Sequence, residues 1–142
     1  MGINDSDAET NDASFSDLSV AESGRAKGFT YTDPATSVAT RYVTSLNFTG
    51  SPQVGLNPIV FTVHSVQPGM LTFPPVDDAT LVLDPQMPSM GHGSPGSVNP
   101  TATSLGRYEG KLSFSMAGPW ETTVTVSQND VTVGAPVFTT TF

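Results

Sequence analysis

The chain has 142 residues, 13% of them charged, with thirteen Asp and Glu against five Lys and Arg, a formal charge of −8, and no cysteine. That length holds one domain with a real core, and the missing cysteines exclude disulfides, thiolate metal sites and cysteine nucleophiles. Asp5, Asp7, Glu9, Asp12, Asp17 and Glu22 account for six of the acids, leaving seven acids against five bases over 23–142, a net charge of −2; no basic stripe exists to bind nucleic acid.

Residues 1–24 are polar, acidic and poor in aromatics. They cannot bury enough apolar surface to offset their ordering entropy, so they read as a disordered acidic linker ahead of a domain over 25–142. A short strand or turn around 15–21 is a minor feature of this stretch. Met1-Gly2 before a Ser/Asp/Asn-rich stretch reads as a start placed on a mature exported chain whose signal segment has been removed. No run approaches the roughly 18 apolar residues of a membrane span, and the basic-then-apolar pattern of a signal peptide is missing from the first residues.

Short strands punctuated by Gly, Pro and Asn follow. Residues 28–32 predict an edge strand, and 37–48 a longer one that ends at Gly50-Ser51-Pro52. In 57–66, Ile59, Phe61 and Val63 point one way and Val60, Thr62 and His64 the other. Leu81 and Leu83 alternate with Thr80, Val82 and Asp84 over 79–84. Further strands are predicted over 97–103, 107–115, 120–127 and 131–141. Low charge with abundant Thr, Ser and Val suits sheet rather than helix. The fold expected is all-β: an immunoglobulin-like antiparallel β-sandwich of about seven to eight strands. The Cys…Trp…Cys pattern of true immunoglobulin domains is missing, so the likeness is one of architecture.

Chemistry concentrates in Met87-Pro88-Ser89-Met90-Gly91-His92-Gly93. Thioethers are poor ligands for hard ions but suit Cu(I), and imidazole suits copper in either state. In an extended strand Met90 and His92 would share a face and Met87 would oppose them; a turn through Gly91 can gather all three. If strand 79–84 runs upward, 97–103 returns and 107–115 climbs again, the turn Met116-Ala117-Gly118-Pro119 lies at the same end. Met116 is therefore a fourth candidate ligand. Every one of these has a structural alternative. Methionine is a common core filler, and Met87 and Met116 both lie at strand ends, whereas His92 between two glycines is expected in a bare loop with no core to satisfy. His64, within a strand, is read as having no site role. Trp120 and Tyr108 are expected as core or sheet-face aromatics, with the Trp120 ring a candidate cap on a Cu(I) site. Gly55, Gly106 and Gly118 read as turn glycines.

Catalysis finds no support. There is no Gly-x-Ser-x-Gly elbow, and two histidines at opposite sandwich ends cannot serve one triad. Asp77-Asp78 lacks the spacing of a calcium loop and reads as a solvated turn, and two distant histidines do not make a zinc hydrolase. The chain is not expected to be an enzyme.

Gly55-Leu56-Asn57-Pro58, Met87-Pro88-Ser89-Met90-Gly91-His92, Gly106-Arg107-Tyr108-Glu109-Gly110 and Met116-Ala117-Gly118-Pro119-Trp120 occur in this order. Together they resemble the YtkA-like domains, relatives of the FixH-like domains of bacterial envelope proteins, over about residues 50–128. The resemblance implies a β-sandwich, extracytoplasmic (periplasmic or at the cell surface) and often lipid-anchored as a lipoprotein, in the setting of copper handling, metal efflux or oxidase assembly. It points to Met87, Met90, His92 and Met116 as copper ligands. The partner it implies is an envelope copper-handling or efflux protein, with membrane attachment only through an N-terminal lipid anchor. Two functions are carried forward: an extracytoplasmic Cu(I) carrier or sensor, and, as the alternative, a metal-free structural or protein-interaction module of the envelope.

Overall fold

A computed structural model describes residues 26–66, 69 and 71–142; the linker predicted over 1–24 lies outside the described residues. Among the described residues there are ten strands: β1 (Ala26–Thr32), β2 (Ala39–Phe48), β3 (Gly55–Val66), β4 (Ala79–Met87), β5 (His92–Gly93), β6 (Val98–Ser104), β7 (Arg107–Phe114), β8 (Pro119–Gln128), β9 (Val131–Gly134) and β10 (Val137–Thr141). One sheet has the order β1-β2-β3-β7-β6; the other runs β10-β8-β4-β5, with β9 also on β8. Every pairing is antiparallel. The result is an all-β sandwich. Among the described residues there is no helix long and apolar enough to cross a membrane.

The predicted alternation is obeyed where it was sharpest. Ile59, Phe61 and Val63 are buried from β3, and Leu81 and Leu83 from β4. They meet Tyr108, Leu112 and Phe114 of β7, Trp120, Val124 and Val126 of β8, and Phe138 of β10 in one core. The Phe61 and Phe138 rings meet edge to face across the two sheets, centroids 5.7 Å apart. Such pairs add to area burial because the positive ring edge meets the negative face.

Ten strands stand where seven to eight were expected, for two reasons. The predicted strand over 131–141 is interrupted at Ala135-Pro136, where proline has no N–H to give the ladder. Its two parts, β9 and β10, both pair with β8, in one register from Val126 opposite Gly134 to Thr123 opposite Val137, with a shift in β9 beyond Val126. The second addition is β5, two residues that fold back on the end of β4. Both lateral seams of the sandwich are closed. Asn99 Oδ1 accepts the Leu83 N–H at 2.9 Å, tying β6 to β4, and the Phe29 ring lies against Gly134 on the other side.

The lower end, where β3 finishes and β7 begins, is held by polar contacts. The Tyr108 hydroxyl donates to Val76 O (2.5 Å) and accepts from Ala79 N–H (3.1 Å). Asp77 Oδ1 accepts the Gly106 N–H and Asp78 Oδ1 accepts from Gln128 Nε2, so these two carboxylates do more than the solvated turn expected of them. His64, on this end of β3, has its pKa lowered by burial, with Asp77 acting in the opposite direction. A base that protonates more weakly in the folded chain than in the unfolded one favours unfolding once acid is added. Stability is therefore expected to fall as the pH drops below the ordinary histidine value of 6.5. His64→Gln should flatten that loss, read from chemical denaturation at about pH 7 and about pH 5.5, above most carboxylate titration.

Candidate metal centre

The upper end includes three connections of interest: 49–54 between β2 and β3, 88–91 between β4 and β5, and 115–118 between β7 and β8. None of them contains Asp, Glu, Lys or Arg. Asn57, buried at the start of β3, fixes the first. Its Nδ2 donates to Gln53 O, Gly55 O and Leu112 O, and its Oδ1 accepts the Gln53 N–H.

The second connection carries the Met/His motif, and it is a tight turn rather than an open loop. Met90 and Gly91 N–H both donate to Met87 O at 3.0 Å. Gly91 has φ +69°, a left-handed conformation that costs glycine little. Reversing there sets His92 directly opposite Met87, and Gly93 opposite Gln86. Residues opposite one another in an antiparallel pair project on the same face, with Cβ atoms roughly 4.5–5.5 Å apart. The turn therefore gathers Met87 and His92 as expected, while Met90 stays at its tip with 57% of its surface exposed.

Met87 is 1% exposed. Its methyl lies 2.9 Å and its sulfur 3.8 Å from where a Cβ on Gly118 would stand, and Gly118 has φ +137°. The third connection thus closes over the Met87 thioether, and a residue with a side chain at 118 would both strain the backbone and press on that methyl. Gly118 is in turn held by Phe142, through N–H to Phe142 O (3.0 Å) and O from Phe142 N–H (3.4 Å).

His92 is half-buried, not placed in the bare loop expected of it, because its ring packs edge to face on Trp120 with centroids 5.9 Å apart. Its Nδ1 is 3.0 Å from Gly93 O. A carbonyl can only accept, so in the neutral imidazole this bond selects the tautomer with the proton on Nδ1 and the lone pair on Nε2, the arrangement in which imidazole ligates a metal.

Trp120 is 1% exposed. The ladder of β4 on β8, which pairs Gln86 with Glu121, continued by one residue places Trp120 beside Met87 on the other side from His92. Its indole N–H donates to Met116 O at 3.0 Å, and its ring also packs on Phe114 at 5.2 Å. Met116 itself, 38% exposed, sits at the same end as the Met/His turn, as the strand count predicted. His64 lies at the other end of β3. Trp120 is the core aromatic expected; its bond to Met116 is not encoded by any periodicity, and a Met and a Trp four residues apart around Gly118-Pro119 are the only local signal of it.

The donor chemistry at this end is soft: three thioethers and one imidazole, with no carboxylate in the three connections. Among the described residues no three of His, Cys, Asp and Glu come together as a metal site. Residues of this kind fit Cu(I) and do not fit calcium, magnesium or a zinc centre of the common kinds.

Comparison with curated proteins and with solved structures returned no match. The family model described as YtkA-like matches residues 36–125, starting earlier than the motifs suggested and ending within β8, and the chain belongs to that family.

Proposed function

We propose that this domain is an extracytoplasmic Cu(I) carrier or sensor, holding the ion with Met87 and His92 and drawing on Met90 and Met116 at the rim. The observation that carries the reading is the cross-strand placement of His92 opposite Met87, with the imidazole proton committed to Gly93 O. Met87 also belongs to the hydrophobic core, and the reading rests on its thioether and the imidazole being cross-strand neighbours on one face. Thioether and imidazole ligands stabilise Cu(I) without redox chemistry of their own. The exposed methionines leave the site open to exchange with an envelope copper-handling or efflux partner. A periplasmic or surface location belongs to the same proposal.

One observation favours the metal-free alternative. Val54, Leu56, Met90 and Met116 are all exposed at this end, and flexible apolar side chains suit an adaptable protein contact. An anaerobic Cu(I) titration against a chromophoric chelator separates the two. The expected result is one equivalent bound and a change in emission of the chain's single tryptophan that saturates at the same ratio. Weak, non-stoichiometric uptake would assign the end to protein contact instead.

A further inference from the structure

We infer that Trp120 is a positioning residue that makes His92 and Met116 act as one unit, an inference that rests on the Cu(I) reading above. His92 and Met116 come from elements far apart in the chain, and one rigid side chain touches both. The indole N–H holds the Met116 carbonyl at 3.0 Å, and the indole ring supports the imidazole at 5.9 Å. Phe114 packs on the same ring, planes 40° apart, and the side chain is almost wholly buried. Rotating it away from either partner would therefore disturb its packing on Phe114 and leave a buried indole N–H without an acceptor, which buried Trp avoids. Gly118 and Phe142 tie the far side of the Met116 turn, so the indole bond governs the near side, where the thioether is attached. Met116 contributes to binding only while that bond holds its backbone on the same indole that supports His92.

The test is a double-variant cycle on Cu(I) affinity, using the fact that the chain has a single tryptophan. Replacing Trp120 residue-specifically with 3-benzothienylalanine keeps the bicyclic shape and removes the N–H donor. Trp120→Phe is the genetic counterpart, used after circular dichroism shows the wild-type fold. Loss of the donor is expected to weaken Cu(I) binding by about 3–10-fold, the usual worth of one hydrogen bond. Adding Met116→Leu should then cost less than about 2-fold more, although Met116→Leu alone weakens the wild type by a comparable factor. If the two effects multiply, or if the benzothienyl protein binds as the wild type does, Trp120 is a core residue only and the inference is overturned. A wild type that retains no Cu(I) would overturn the copper reading and this inference together, a result distinct from intact binding with independent effects.

Discussion

A Met87→Leu/His92→Phe variant is expected to keep the fold and to lose Cu(I) affinity by at least about 100-fold, since even outer-shell changes at metal sites cost 10–100-fold. Both replacements are chosen for packing. Leucine approximates the volume of methionine, and such exchanges in a core usually cost under about 1.5 kcal/mol. Phenylalanine retains a flat ring to meet the Trp120 edge. What the variant lacks is donor atoms: the buried thioether and the imidazole Nε2. Met90→Leu removes a thioether from the exposed turn tip and should weaken binding by less than about 10-fold, within the range of a supporting contact. Competition with a chromophoric Cu(I) chelator measures all three proteins. An affinity for the double variant within a few-fold of wild type would remove Met87 and His92 from any copper site and turn attention to the exposed methionines alone.

Tyr108→Phe is expected to produce the opposite pattern, a large loss of stability with copper binding unchanged. The Tyr108 hydroxyl is buried and serves both Val76 O and Ala79 N–H. Phenylalanine leaves the buried Val76 acceptor and the part-buried Ala79 donor without their partner, and a buried group left so costs about 1–3 kcal/mol. A loss of about 2–4 kcal/mol follows, equivalent to a fall in Tm of roughly 10 °C for a domain of this size. Thermal unfolding followed by circular dichroism checks it. Tyr108 stands at the start of β7 and the Met/His turn at the other end of the sandwich, so Cu(I) affinity should stay within about 2-fold, the size of ordinary non-coupling between distant sites. A fall of less than about 1 kcal/mol would mean that water replaces the hydroxyl in both bonds. The pair of variants thus tests whether residues 106–110 serve stability and residues 87–92 serve copper binding.

Much of this was legible in the residues. Alternation named the buried faces of β3 and β4 because a sheet with one face on a core repeats every two residues. The strand over 97–103, polar and weakly patterned, was placed by position between two turns, and it is β6 with a one-residue shift. Counting passes of the chain also put Met116 at the Met/His end, since an antiparallel path returns to the same end after an even number of strands. Alternation was silent on β5, because two residues show no period.

The sequence by itself determined the fold class, the soft-donor content of one end, and which turn glycines were needed, because these depend on composition, on local periodicity and on backbone sterics. Only the tertiary structure decided how the donors are arranged. Met87 is buried because the 115–118 turn closes over it at Gly118. His92 is supported because β8 brings Trp120 beneath it, and its free nitrogen is set by a bond to a carbonyl one residue on. Met116 is tied by an indole N–H rather than by its own side chain. The contacts of Met87, His92 and Met116 with Gly118 and Trp120 depend on how β8 and the turn before it are laid against β4 and β5, which no local repeat encodes. Burial of an indole N–H obliges it to find an acceptor, but only the packed sandwich determines which carbonyl is within reach.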